Sequence, residues 1–361
     1  MQDAALFKDD SEPAWVSEWL ASRSQKAQQK EERQAAAGDA PAAVADPAAA
    51  AAREAQRWQR IEAAAAELQR WLADQIGRGL GALNAELLQG WQTMAARLVD
   101  AQAPGLAQRL RDAADSAAAR DTERTLQRLG LLQLACEALS RRAGLGADLQ
   151  AELRSVAGWP HDKAEVLAAA APLADRWTVL GVATELRDAK LTERRVWLHG
   201  RQSGRRAWLL DHAFAGRGFE QSWLSGRSVA ATLAAFPGSA GLRMLCAATE
   251  GAPGAPEWPV TRWADEWQRL AARQAASPWV NLHPLVLPDS VVAVPAAGQT
   301  VAAHAGRALR LRLGDEDTWA LLAATGGHPV TLMGEWDGVA LRPLTAWLPG
   351  QAAPLWHRSA E

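Results

Sequence analysis

The hydrophobic period of this chain changes at Asp175, and that change constrains the fold more than any other feature. Before it, apolar residues recur every three or four positions, as on one face of a helix. After it, short alternating runs stand between glycines and prolines. Trp58, Ile61, Ala65, Leu68, Leu72, Ile76, Leu80, Leu83 and Leu87 trace one stripe, which predicts a helix from Arg53 to about Leu88. Gly77, Gly79 and Gly81 form GxGxG inside it. A dinucleotide loop needs a preceding strand and a third glycine further on, so close helix packing or a kink is the reading here. Trp91 to Leu98 continues helically, and Pro104-Gly105 breaks the chain. A helix follows to about Ala118, then Asp121 to Arg142 with Leu126, Leu129, Leu132, Cys136 and Leu139 on one face. Cys136 on that stripe reads as a small core residue. Asp148 to Val156 makes the next helix, and Asp162 with Glu165 has capping-box spacing for another.

The expected fold class is α+β: an N-terminal helical bundle, residues 53–172, followed by a mainly antiparallel β domain, residues 173–361, with one inserted helix. The β domain is expected as a sandwich or a partly open barrel. Its strands are placed at Trp177 to Leu186, Arg194 to Ala213 as a hairpin, Ser228 to Phe236 and Leu242 to Thr249. Thr261 to Gln274 is the helix, with Trp263, Trp267 and Leu270 on one side. Further strands are expected at 284–287, 290–294, 300–304, 307–313, 318–325, 328–335 and 338–347, with turns at Gly326-Gly327 and Asp337-Gly338. Residues 1–23 hold a short amphipathic helix at 11–23, where Trp15 and Trp19 share a face that needs a partner. They are the candidate residues for docking a protein partner. Residues 24–52 read as a disordered linker, since twelve of the eighteen residues from Ala35 to Ala52 are alanine and cannot build a core.

The hairpin Arg194 to Ala213 carries the densest mix of positive charge and tryptophan. Eight Lys/Arg and three Asp/Glu residues lie between Arg187 and Arg217. Gln202-Ser203-Gly204 supplies the turn, with Gly204 free to take positive φ; a two-residue loop at Gln202-Ser203 puts Trp197 directly opposite Trp208, and a different loop shifts that register. Arg194, Arg195, Arg205 and Arg206, with Trp197 and Trp208, are the candidate nucleic-acid contacts, through phosphates and base stacking. The alternative is a solvated basic face of ordinary strand alternation.

Little else in the sequence carries chemistry. The 39 basic and 41 acidic residues nearly cancel, so any electrostatic binding is local. Cys136 and Cys246, far apart in unlike contexts, argue for a reducing compartment. With no signal pattern and no run of 18 apolar residues, the chain reads as cytoplasmic, with no membrane partner. Eighteen tryptophans without a tyrosine fit compositional drift in a high-GC genome. None of the seven histidines has a partner at a zinc-binding spacing, and no catalytic motif is present, so no enzyme activity, metal or cofactor is expected of these residues. Asp211-His212 beside Ser203 suggests a triad, but strand neighbours point to opposite faces. Asp315-Glu316-Asp317 reads as a solvated acidic turn.

A family resemblance adds to this. Residues Pro13 to Arg23 (PAWVSEWLASR) look like the segment just after the finger in bacterial SWIM zinc-finger proteins. Met94 to Ala107 (MAARLVDAQAPGLA) resembles that family's most recognisable stretch. Asp175 to Gly181, Arg195 to Leu198 and Phe236-Pro237-Gly238 match its style. The family's finger chelates zinc with a Cys-x-Cys…Cys-x-His pattern. No residue here matches it, and the resemblance places it before Met1. What the resemblance implies is an interaction or scaffold role without a catalytic residue. Its implied partners are proteins such as a MoxR-type AAA+ ATPase system, and the finger is thought to bind DNA or protein.

Overall fold

A computed structural model describes residues 47–187, 190–214, 218–295 and 298–358. The expected helix at 11–23, with Trp15 and Trp19, lies outside them. The chain divides between Gln59 and Arg60 into two compact units. The described helical segments begin with α1, Pro47–Arg78, which starts inside the stretch expected as linker. It ends ten residues before the expected Leu88, because Gly79 turns to φ +82° and Asn84 starts a new helix. The Asn84 side chain accepts a hydrogen bond from the Leu87 amide and caps α2, Ala85–Asp100. Then come α3, Pro104–Ala118, α4, Thr122–Ser140, α5, Ala147–Val156, and α6, Lys163–Ala169. Asp121 and Asp162 cap α4 and α6.

In the second unit, Ile61, Leu68, Leu98, Leu106, Leu110, Leu132, Leu139 and Leu153 fill the bundle core. Cys136 is buried there as expected, and burial pushes its thiol up to about 12. Leu126, expected on the same stripe, is exposed. The Pro104-Gly105 break has a packing cause. The Gly105 amide donates to the Ala157 carbonyl at 3.0 Å, and a Cβ on Gly105 would strike the Val156 carbonyl and the Gly158 amide. Helix α3 therefore starts with its backbone against the end of α5, which only glycine permits.

The β half is two antiparallel sheets. One has five strands in the order β3-β2-β1-β4-β5, the other six in the order β11-β10-β9-β6-β7-β8. The strands of the first are β1, Leu173–Leu186, β2, Leu191–Gly200, β3, Arg206–Phe214, β4, Ser228–Ala235, and β5, Met244–Gly254. Those of the second are β6, His283–Ala293, β7, Val301–His304, β8, Arg307–Arg310, β9, Val330–Trp336, β10, Leu341–Trp347, and β11, Trp356–His357. The sheets pack face to face through Leu180, Ala183 and Trp197 on one side and Val286, Met333, Leu344 and Trp347 on the other. A Cβ on Gly181 would lie 2.7 Å from Leu344 Cβ, so the sheets touch closely there. The result is a sandwich, not a partly open barrel.

Several sequence expectations in this half are corrected. The segment read as strand 318–325 is a helix, α8, Asp315–Thr325, so the β half holds two helices, together with α7, Trp263–Ala276. Asp315, Glu316 and Asp317 form its first turn, where acidic residues suit the helix dipole, and are not a turn cluster. Gly326, at φ +56°, ends the helix and is not a hairpin turn. The strands expected at 284–287 and 290–294 are one strand, β6, with a bulge between Leu287 and Ser290 where Asp289 takes φ +51°. Helices α7 and α8 cover the outer face of the six-stranded sheet, with Leu270 and Leu321 against Leu285, Leu287 and Leu332.

Bundle and sandwich are joined by a strap just after α7. The Ser277 hydroxyl donates to Glu152 Oε1 at 2.8 Å, and both are buried. The Trp279 indole N–H donates to the Leu131 carbonyl at 3.2 Å, while Arg109 donates to the Trp279 carbonyl at 3.1 Å. Arg124 of α4 reaches Asp337 in the β9–β10 turn at 2.9 Å.

Candidate functional site

The hairpin β2–β3 forms in the expected register, with Trp197 opposite Trp208 and Gly204 at φ +62°. The loop is longer than two residues, since the Gly200 amide donates to the Arg205 carbonyl and closes a four-residue turn. The two indoles stack with centroids 5.9 Å apart.

Its arginines are not a solvated face. Arg194, Arg195 and Arg206 are 7 %, 3 % and 5 % exposed. Strand alternation sends Arg195 and Trp197 inward, between the sheets, where carboxylates meet them. Arg195 bonds Glu335 at 2.9 Å, Glu193 at 2.8 Å and Glu185 at 2.7 Å. The Trp197 indole N–H donates to Glu335 Oε1 at 2.8 Å. Arg187 and Arg342 close the outer side of the same cluster. Burial alone would lower the Arg195 pKa, but Glu185 and Glu335 raise it above the ordinary arginine value. Burial alone would raise Glu185, and Arg195, Arg342 and Arg187 bring it down to about 2. The cluster ties the end of the five-stranded sheet to that of the six-stranded one.

On the other face, Arg194 bonds Asp211 at 2.6 Å and the Gln221 carbonyl at 2.7 Å, with the Phe219 ring 4.1 Å away. Asp211 is thus held by Arg194 and does not orient His212. Arg206 reaches Glu266 of α7 at 3.2 Å and His199 Nδ1 at 2.5 Å. Burial lowers its pKa to about 10 although Glu266 opposes that. Beside it, burial and the Arg206 charge push His199 down to about 4. Arg205 alone of the four candidate arginines is exposed. Trp197 is 1 % exposed, so it is core, and Trp208 is half-buried against it. The expectation of an accessible Arg/Trp contact surface is corrected on these grounds: three guanidinium groups are occupied by carboxylates and one indole is enclosed.

The long-range partners Glu335 and Glu266 escaped sequence reasoning. They lie 140 and 60 residues away from their arginines and carry no local signal. Among the described residues, no group of three or more His, Cys, Asp or Glu is placed to hold a metal ion, and no helix is long and apolar enough to cross a membrane. At the junction of bundle and sandwich a cavity of about 480 Å³ opens, with six arginines in its lining.

No curated protein and no solved structure matches the chain. Residues 56–157, the stretch of helices α1 to α5 that packs Gly105 against Ala157, match the family model of the SWIM-associated four-helix bundle domain, consistent with a region C-terminal to the SWIM finger.

Proposed function

We propose that this chain is a non-enzymatic interaction platform of the SWIM zinc-finger type, acting in the cytoplasm with protein partners. The observation that supports the reading is the strap between bundle and sandwich. Trp279, Arg109, Ser277 and Glu152 join the two through one buried hydrogen bond and two partly buried ones to backbone carbonyls. A platform needs such fixed placement, because a preorganised surface loses less entropy on binding. The partner implied by the resemblance is a MoxR-type AAA+ ATPase. Trp15 and Trp19 are the docking residues, and zinc belongs to the finger rather than to these residues. The buried hairpin arginines offer little support for nucleic-acid contact through Arg194, Arg195 or Arg206.

Sedimentation of the full chain with a MoxR-type ATPase from the same genome tests the reading. A complex with Kd below about 10 µM, weakened tenfold or more by Trp15→Ala with Trp19→Ala, is expected. No complex at about 100 µM of either protein overturns it.

A further inference from the structure

The cavity at the bundle–sandwich junction differs from the charge cluster next to it in how its arginines are paired. Arg187 and Arg195 line it but belong to the Glu185, Glu193 and Glu335 cluster. The four other arginines of the lining are Arg109, Arg124, Arg128 and Arg312, and the two other carboxylates are Asp112 and Asp337. Arg124 and Arg312 share Asp337. No carboxylate among the described residues lies at ion-pair distance from Arg109 or Arg128. Arg109 donates to the Trp279 carbonyl, and Arg128 to the Asp112 carbonyl and, at 2.5 Å, to Ser116 Oγ. Among these lining groups four guanidiniums face two carboxylates, with Glu152 behind Arg109 and Asp115 behind Arg128 as further acids. Burial lowers the pKa of Arg109 against Asp112 and Glu152, and burial with the Arg124 charge lowers that of Arg128 against Asp112, Asp115 and Asp337. Desolvated cations of this kind favour an anion strongly.

An independent observation points the same way. His283 lines the cavity, is 2 % exposed, and neither ring nitrogen makes a hydrogen bond of normal geometry, although the Val280 backbone is near. A buried imidazole without partners costs about 1–3 kcal/mol per unmet group, so it is normally satisfied by something. The far wall is apolar, formed by Leu131, Val280 and Leu282. Half-exposed Arg312 and exposed Gln127 stand at the mouth, so the cavity is open to solvent. Its volume falls in the range of about 300–1,000 Å³ that small-molecule sites occupy.

We infer that this cavity is a binding site for a small organic phosphate, with the phosphate held by Arg109 and Arg128, hydrogen-bonded by His283, and the organic part laid on the Leu131–Leu282 wall. A phosphate dianion suits a lining richer in guanidinium groups than in carboxylates, and planar guanidinium groups fit its oxygens in pairs. Such a ligand bridges α3 and α4 of the bundle to the strap and β6 of the sandwich, so it reinforces the junction the platform depends on.

Thermal unfolding of the full chain in pyrophosphate, against sodium chloride of equal ionic strength, tests this. A saturable rise in Tm of several degrees is expected at about a hundredfold excess over Kd. The rise should fall by at least half in His283→Gln, a near-isosteric change, and vanish in Arg128→Met. No rise at about 10 mM pyrophosphate overturns the site. An equal rise in the wild type and in His283→Gln also overturns it, since the ion then sits elsewhere; that variant discriminates even where Arg128→Met fails to fold. A rise of the same size with malonate overturns the assignment to phosphate.

Discussion

The helical bundle and the β sandwich handle charge in opposite ways. In the bundle, ion pairs stay outside: Arg97 and Glu67 pair with side chains 60 % and 39 % exposed, and the core is mostly leucine and alanine, with Ile61, Trp91 and Cys136. In the sandwich, Arg195 pairs with Glu335 at 3 % and 1 % exposure, and Arg206 with Glu266 at 2 % and 0 %. A bundle specifies its fold by close backbone approach and interdigitating apolar stripes. Two stacked sheets have flatter faces and a register that slips more readily, and buried ion pairs at defined positions penalise the wrong register. The difference teaches that arginine-rich sequence in this molecule marks its interior as much as its surface.

The sharpest way to break the comparison is to remove one buried partner. Glu335→Ala leaves Arg195 and the Trp197 indole N–H short of an acceptor and should cost about 3–5 kcal/mol in urea unfolding. Arg195→Met combined with Glu335→Leu should cost clearly less than Glu335→Ala alone, because no charge is then stranded. A double variant that is worse than the single one contradicts the account of the cluster.

Acid should act on the sandwich through histidine. His199 and His283 are held near 4 by burial, assisted by Arg206 and Arg273 respectively. An unfolded histidine titrates at about 6.5. Between those values the unfolded chain binds protons that the folded chain refuses, so stability falls as pH drops from about 6.5 to 4. Glu185, held near 2, adds a further loss as pH falls from about 4.5 toward 2. His283→Gln should remove up to about 3 kcal/mol of the slope in the upper window, read from urea midpoints at stepped pH.

In the bundle the sensitive position is a glycine. Gly105→Ala drives a Cβ into the Val156 carbonyl and should cost about 1–3 kcal/mol, with no change in the acid slope. The smallest effect belongs to the hairpin tip. Arg205→Glu should change stability by less than about 0.5 kcal/mol. Arg206→Gln, one residue on, takes the nearest cation from the fully buried Glu266 and leaves it Arg269 at 3.6 Å and the Thr261 hydroxyl, so it should cost more than Arg205→Glu and less than Glu335→Ala. Similar costs at 205 and 206 would show that Arg206 is not held in the interior against Glu266.

Much of this was legible in local sequence. The capping residue Asp162 and the Pro104-Gly105 break follow from signals within a few residues, while the register of Trp197 with Trp208 is the one expected for a Gln202-Ser203 loop although the loop that delivers it is longer. Helix α8 was misread although its signals were present. An acidic first turn at Asp315, Glu316 and Asp317 and a glycine stop at Gly326 mark a helix, but its short apolar stretch looks like a strand before a Gly-Gly turn. The helix end at Arg78 was missed because the apolar spacing continues through Leu80, Leu83 and Leu87, while Gly79 and Asn84 impose a break.

The sequence by itself determined where the chain is helical and where it is extended, because period and caps act through neighbours. It also determined that residues 195 and 197 of the hairpin share one face and 194 and 196 the other. Only the tertiary structure decided that both faces are interior and which carboxylates wait there. Glu335 meets Arg195 and Glu266 meets Arg206 only once β9 and α7 have packed against the hairpin sheet. Side-chain pairing across such distances is set by the packing of whole layers, and no local spacing encodes it. The arginine-lined cavity has the same origin: its walls come from α3, α4, the strap and the β9–β10 turn, which the chain brings together only by folding.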